Sequence, residues 1–79
     1  MTTNKDLLKQ YLIFSNNVKT IRKEKKLTQE ELAEYSDLSI SYVKQIDSCK
    51  DFKNLTLTTI LKISKTLDTT ISDLFNTKN

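Results

Sequence analysis

The chain has 79 residues, enough for one small domain, and its net charge is +3. It contains no glycine, no proline, no histidine and a single cysteine, Cys49. These absences exclude a zinc site of cysteine and histidine, a histidine-dependent catalytic triad, a disulfide framework and a glycine-rich phosphate loop. We therefore expect no enzyme, no cofactor and no bound metal.

The same composition bears on fold class and location. Tight β-hairpins rely on glycine-containing turns, so the lack of glycine favours an all-α fold. No apolar run approaches the roughly 18 residues that span a membrane, and the N-terminal residues lack a signal-peptide pattern. We expect a cytoplasmic protein without membrane contact. The small positive charge is compatible with nucleic acid, but a solvated lysine-rich surface would explain it equally well.

The first predicted element is a helix that runs to about Lys26. Asn4 or Asp6 would cap its start, and the helix is either continuous or broken near residues 15–17. Basic residues crowd its last turns, where they either stabilise the helix dipole or contact phosphate. The apolar residues recur at steps of three and four, the period of a helix face: Leu7, Leu8, Tyr11, Leu12, Phe14, Val18 and Ile21.

A second helix is predicted to start at Thr28. With Glu31 three residues later, Thr28 forms a capping-box pattern, in which each side chain accepts a hydrogen bond from the other residue's backbone N–H. This helix is short because residues 36–39 interrupt it. Three of its residues are expected to face inward: Leu32, Ala33 and Tyr35.

Ser39 is predicted to cap a third helix. Val43 and Ile46 give this helix a narrow apolar edge. Two short helices with a four-residue interruption, at residues 28–48, are the pattern of a helix-turn-helix, whose second helix enters the major groove of DNA. The solvated face of any helical domain would look similar. The polar face of the third helix consists of Ser41, Tyr42, Lys44, Gln45 and Ser48.

Two more helices are predicted after a loop at residues 49–55. Thr56 caps the fourth helix, and Thr70 with Asp73 begins a short fifth helix. These elements make one all-α domain of residues 1–79. Within it, we assign a helical extension to residues 1–13, the helix-turn-helix to residues 28–48 and a polar tail to residues 76–79. The apolar residues of the last two helices are Leu57, Ile60, Leu61, Ile63, Leu67, Ile71, Leu74 and Phe75.

Several short segments of the sequence indicate a protein family more specifically than the spacing of the apolar residues does. The segments IRKEKKLTQEELA at 21–33, SYV at 41–43, QID at 45–47 and LTTILKISKTL at 57–67 closely resemble the lambda-repressor-like helix-turn-helix family, also called the Cro/C1 or XRE type. The resemblance covers residues 14–75. It implies a compact five-helix lambda-repressor-like bundle and a sequence-specific DNA-binding transcriptional regulator.

The resemblance also implies roles for individual residues. Glutamine suits adenine and lysine suits guanine, and the residues that would contact base edges are Ser41, Tyr42, Lys44 and Gln45. The residues that would contact phosphates are Gln29, Ser39, Lys50, Lys53 and Asn54, with Tyr42 as an alternative phosphate contact. Arg22 and Asp47 fall at positions that form a structural ion pair between the first and third helices.

Family members usually bind double-stranded DNA as two-fold dimers, because one such domain contacts only half an operator. The resemblance therefore implies a homodimer, with dimer pairs on tandem sites as a further arrangement, and it implies no small-molecule effector. The N-terminal extension, residues 1–13, is a second candidate surface for the dimer contact. The residues predicted to form the dimer interface are Ile71, Leu74 and Phe75, with closure of the core as their alternative role.

Two positions depart from the family pattern. The family usually has glycine where Asp37 and Cys49 stand. Aspartate tolerates a positive φ better than most residues, so the turn at Asp37 can survive. A left-handed cysteine would cost of order 1 kcal/mol, so we expect the third helix to end differently at Cys49.

Three kinds of small regulator fit this pattern: a phage or mobile-element repressor, an antitoxin and the controller protein of a restriction-modification system. The Tyr-Val step at 42–43 and the Asn-Leu-Thr segment at 54–56 resemble the controller type. Such a controller would activate at low operator occupancy and repress at high occupancy. The alternative is that the protein is a protein-interaction module. This alternative would be favoured if acidic residues dominated the surface around the third helix: Asp37, Asp47 and Asp51.

Overall fold

The structure is a computed structural model that describes residues 3–50 and 55–77. In these ranges the chain forms five helices and no strand: α1 (Asn4–Glu24), α2 (Gln29–Tyr35), α3 (Ile40–Asp47), α4 (Leu57–Thr66) and α5 (Ile71–Leu74). The predicted all-α, five-helix fold is confirmed. The first helix is continuous and ends at Glu24. No helix in the described ranges is both long enough and apolar enough to cross a membrane.

A hydroxyl side chain caps the start of every helix. The caps are Thr3, Thr28, Ser39, Thr56 and Thr70, each with an extended backbone and a side-chain oxygen that accepts from the backbone N–H three residues later. Thr28 and Glu31 form the predicted capping box. The prediction that Asn4 or Asp6 caps α1 was wrong. The cap is Thr3, which forms a capping box with Asp6. Each cap contributes about 1 kcal/mol.

Four helices end in a residue with a left-handed backbone, although the chain has no glycine. After α1, Lys26 N–H donates to the Lys23 carbonyl and Leu27 N–H to the Arg22 carbonyl, which is a Schellman motif. We expected α3 to end without a left-handed residue at Cys49, and this expectation is wrong. The φ of Cys49 is 57°, and its N–H donates to the Ile46 carbonyl. Among residues 3–50 and 55–77, the left-handed residues are Lys26, Asp37, Cys49 and Asp68.

The core lies where α1, from Tyr11 onward, meets the other helices. Phe14 and Val18 of α1 are buried there, and Phe14 stacks on Phe75 with ring centroids 5.1 Å apart. Tyr35 was predicted to face inward but is 59% exposed, so that prediction is wrong. The buried hydrophobic residues are Tyr11, Phe14, Val18, Ile21, Leu32, Ala33, Val43, Ile46, Ile63, Leu67 and Leu74.

Two polar contacts join helices that are distant in sequence. The buried Asn17 amide donates to the carbonyls of Leu74 and Asn76, both at 2.8 Å, and to that of Asp73 at 3.3 Å. Asn17 thereby supplies a donor to the carbonyl of Leu74, the last residue of α5. The last carbonyls of a helix have no partner within the helix itself. The Ser36 hydroxyl donates to Thr66 Oγ1 at 2.8 Å and ties the end of α2 to the end of α4.

Candidate nucleic-acid interface

Helix α3 has one buried edge and one exposed polar face. Val43 and Ile46 are buried in the core, which fixes the rotation of the helix about its axis. The residues on the opposite side that were predicted to contact bases are exposed: Ser41, Lys44 and Gln45. The structure therefore brings a hydroxyl, an ammonium and an amide together on one eight-residue helix.

The single carboxylate of α3, Asp47, is absent from this exposed face. Its Oδ2 lies 3.0 Å from Nη2 of Arg22, and both side chains are more than 90% buried. Arg22 Nε also donates to Asp47 Oδ1 at 3.4 Å, and Arg22 Nη1 donates to the Leu27 carbonyl at 2.7 Å. The predicted ion pair between the first and third helices is thus formed, and it neutralises the only negative charge on α3.

Gln29 lies at the start of α2, beside this ion pair. Its Nε2 donates to Asp47 Oδ2 at 3.0 Å, so the amide is bonded within the protein. Gln29 is partly exposed, as a contact with a DNA phosphate requires. This bond to Asp47 was not foreseen from the sequence.

Ser39 and Tyr42 occupy the first turn of α3. Ser39 is exposed, and its Oγ accepts from the Tyr42 N–H at 3.1 Å, so the hydroxyl hydrogen is left to donate elsewhere. Tyr42 is partly buried and packs against the core, and its hydroxyl donates to Thr59 Oγ1 of α4 at 3.3 Å. This contact turns the tyrosine hydroxyl toward α4, which disfavours its predicted role at a base edge.

The charges around α3 are mixed. Lys50 is exposed just beyond the helix, while Lys53, Asn54 and Asp51 lie outside the described residues. Asp37 is exposed, and its carboxylate lies 3.6 Å from Lys62 Nζ. On α2, two further carboxylates are exposed: Glu30 and Glu34. Because Asp47 is buried and paired, acidic residues do not dominate the described part of the α3 surface.

Comparison with known proteins identifies this arrangement. Residues 18–74 match the helix-turn-helix family. The chain belongs to that family. It is therefore a DNA-binding transcriptional regulator, as predicted.

Individual relatives of this helix-turn-helix protein are similar over most of their length. The control protein C.MunI of Mycoplasma sp is 41% identical over 64 residues, which are 80% of this chain and 84% of the relative. The crystal structure of the restriction-modification controller protein C.AhdI from Aeromonas hydrophila superposes with a TM-score of 0.74 at 34% identity. That superposition covers 82% of this chain and 96% of C.AhdI.

Not all of the residues predicted to form the dimer interface are exposed on the surface of the helix-turn-helix protein. Leu74 is 0% exposed, so it belongs to the core and has no surface for a second protomer, which contradicts its predicted role. Phe75 is partly buried on Phe14, and Ile71 is also partly buried. The most exposed apolar side chains near this end of the chain are on α4 instead: Leu57 at 65% and Leu61 at 45%.

Two buried residues that join helices by hydrogen bonds were not predicted from the sequence. Asn17 holds the end of α5, and Thr59 accepts the hydrogen bond from Tyr42. Each is a buried polar residue. Asn17 follows Phe14 by three residues and precedes Ile21 by four, and this interruption of the apolar stripe was the available signal.

Proposed function

We propose that this helix-turn-helix protein is the controller of a restriction-modification system. It binds an operator upstream of its own gene as a homodimer and inserts α3 into the major groove. The observation that carries the proposal is the exposed α3 face, on which hydroxyl, amide and ammonium groups stand without a free carboxylate, because Asp47 is paired with Arg22. The controller names of C.MunI and C.AhdI support the regulatory role.

The chemistry of this face suits base edges. Gln45 has both a donor and an acceptor and can pair with adenine, whereas Lys44 can donate to the acceptor atoms of guanine. Ser41 can donate or accept. With eight residues, α3 is about 12 Å long, which fits the major groove of B-DNA. Ser39, Gln29 and Lys50 flank α3 as phosphate contacts that set its orientation.

The homodimer is proposed to form through one side of the α4–α5 region. Leu57 and Leu61 are four residues apart on one face of α4, and both are exposed. Together with the partly exposed Ile71 of α5, they provide apolar surface that a second protomer would cover. Two-fold symmetry would place the two α3 helices about one DNA turn apart, roughly 34 Å. The predicted cytoplasmic location follows from the proposed DNA target.

Binding to DNA from upstream of the gene tests the function. The wild-type protein is titrated against that fragment and against scrambled DNA over a series of salt concentrations. Gln45→Ala and Lys44→Ala are compared with Gln10→Ala and Lys9→Ala, which change the same residue types on the exposed first half of α1. We expect at least a ~100-fold preference for the upstream DNA, because specific sites typically bind 10³-fold or more tighter than non-specific DNA.

Loss of this preference in the two α3 variants, with retention in the two α1 variants, would support the proposed function. Equal weak binding to both DNAs by the wild-type protein, with no effect of Gln45→Ala, would contradict it. Equal losses in α1 and α3 variants would show that α3 is not the part that recognises sequence.

A second candidate function is the binding of a protein partner through α1. Leu7 is 58% exposed and Leu8 and Leu12 are each 36% exposed, which is unusual for leucines on one short stretch of helix. Co-purification with the product of a neighbouring gene, abolished by Leu8→Lys and unaffected by Gln45→Ala, would favour this function. Specific operator binding that Leu8→Lys leaves unchanged would favour the regulator.

A further inference from the structure

The contact between Gln29 and Asp47 links two helices of the proposed DNA surface. Gln29 is the first residue of α2 and Asp47 is the last residue of α3. Their side chains meet with Gln29 Nε2 at 3.0 Å from Asp47 Oδ2. We propose that Asp47 is a positioning residue for DNA-backbone recognition, which holds the Gln29 amide ready for a phosphate. This inference rests on the proposed function and adds a role that the ion pair alone does not require.

The hydrogen-bonding capacity of the Gln29 amide makes this role possible. A side-chain amide has two N–H donors on one nitrogen. One of them is used by Asp47, and among residues 3–50 and 55–77 Asp47 is the partner of this nitrogen. The second N–H therefore remains for an external acceptor on the partly exposed side of Gln29. A phosphate oxygen is the acceptor that the proposed function supplies.

Asp47 can orient the amide because it is itself held rigidly. Arg22 donates to both carboxylate oxygens, at 3.0 Å to Oδ2 and 3.4 Å to Oδ1. Arg22 is held in turn by the Leu27 carbonyl, at 2.7 Å, in the connection between α1 and α2. The contacts run without a break from Leu27 through Arg22 and Asp47 to Gln29. Since Arg22 and Asp47 are buried, water competes little for these bonds.

This arrangement lowers the entropy lost on binding. A glutamine on an open surface samples many rotamers and loses that freedom when it grips a phosphate. Gln29 has already lost it in the free protein, so its contact with DNA is preorganised. If the Asp47 contact is removed while α2 and α3 keep their places, Gln29 should contribute less to binding even though it is still present.

Four proteins test the inference: wild type, Gln29→Ala, the double variant Arg22→Met with Asp47→Leu, and the triple variant that combines them. The double variant replaces both charges with apolar side chains of similar size, a change that often preserves stability, whereas removing one partner leaves a buried unpaired charge. Affinity for the upstream DNA fragment is measured for all four proteins at one salt concentration, and thermal unfolding establishes that each is folded.

We expect Gln29→Ala to weaken binding about tenfold in the wild-type background, a typical effect for the loss of one hydrogen bond to a charged group. In the double-variant background we expect a loss of twofold or less. The salt dependence of binding should not change with Gln29→Ala, because the amide is uncharged and releases no counterion. Equal losses in the two backgrounds, or no loss in the wild-type background, would overturn the inference.

A measurement on the wild-type protein keeps the inference testable if the double variant does not fold. In NMR relaxation measurements on the free protein, the Gln29 side-chain amide group should be rigid, unlike that of the exposed Gln10. Addition of the DNA fragment should shift one of the Gln29 protons. A Gln29 amide as mobile as that of Gln10 would overturn the inference.

Failure of this inference differs from failure of the proposed function. If the wild-type protein binds its upstream DNA specifically and Gln45→Ala abolishes that preference, the proposed function stands. This holds whatever the comparison of Gln29→Ala in the two backgrounds shows. If the wild-type protein has no preference for that DNA, the proposed function itself fails.

Discussion

Helix α3 and the first two turns of α1 both carry exposed polar side chains, but the two segments are held in place very differently. Every residue from Asn4 to Gln10 is exposed, and this stretch contributes nothing to the core. Helix α3 has a similar length, yet Val43 and Ile46 are buried beneath it and Asp47 is paired with Arg22 at its end.

The difference explains why one segment can recognise a ligand with precision and the other cannot. Exposed side chains on α3 stand on a backbone whose position and rotation the core determines. Exposed side chains at residues 4–10 stand on the first two turns of α1, which only the cap and hydrogen bonds within the helix support, because the contacts of α1 with the core begin at Tyr11. Helix ends without core contacts open more easily than packed segments. Removing the side-chain contacts that hold a segment should therefore change stability strongly at α3 and weakly at the start of α1.

The largest effect is expected from Asp47→Ala. This change leaves Arg22 buried without its charge partner, which typically costs about 3–5 kcal/mol of unfolding free energy. Glu34→Ala removes an exposed carboxylate from the neighbouring helix and should change stability by less than about 0.5 kcal/mol. Urea titration followed by circular dichroism measures both. Similar stabilities of the two variants would show that the ion pair does not anchor α3.

A smaller effect is expected from Asn17→Ala, in the half of α1 that is buried. The carbonyl of the buried Leu74 at the end of α5 loses its donor, and an unsatisfied buried group of this kind costs about 1–3 kcal/mol. Asn16→Ala is the matched control, since Asn16 is the adjacent asparagine and is exposed. Thermal unfolding should separate the two variants clearly. If they melt at the same temperature, Asn17 does not hold α5.

A modest gain in stability is expected from Cys49→Gly, just after α3. Cys49 has a φ of 57°, which a residue with a side chain adopts at a cost of about 1 kcal/mol and glycine adopts freely. Asp37→Gly should gain less, because aspartate tolerates this conformation better and Asp37 also faces Lys62. Urea unfolding of the two variants gives the comparison. Destabilisation by Cys49→Gly would contradict the left-handed helix end.

The smallest effect concerns acid and the first turn of α1. The Thr3 backbone N–H, together with the Thr3 hydroxyl, donates to the Asp6 carboxylate and holds the pKa of Asp6 below its ordinary value of 3.8. A carboxyl group whose pKa is lowered on folding stabilises the fold above its ordinary pKa, and that contribution is lost as the pH falls through the lowered value. We therefore expect the first turn to fray in acid below the ordinary pKa.

Amide hydrogen exchange at residues 4–7, followed by NMR across this pH range, measures the fraying. In Asp6→Asn the protection of these amides, taken relative to the intrinsic exchange rate at each pH, should be low throughout and show no step at acid pH. A step of the same size at α3 would show that the transition belongs to the whole domain instead.

Much of the fold could be predicted because its determinants are local. Hydroxyl caps and the periods of apolar residues indicate where α2, α3 and α4 begin and which edges they bury. The partners of single side chains are not local. Nothing near Gln29 in sequence indicates that it bonds to Asp47, and the apolar residues of α5 do not reveal that Leu74 alone is fully buried.

The sequence by itself determined the five helices, the helix-turn-helix and its family, because capping, periodicity and motif spacing are properties of neighbouring residues. Tertiary structure alone decided that Tyr35 is exposed, that Tyr42 turns its hydroxyl to α4 and that Asp47 leaves the surface of α3 free of negative charge. These outcomes depend on which helix packs against which. A side chain's surroundings are set by residues far away in the chain, and only the folded arrangement brings them together.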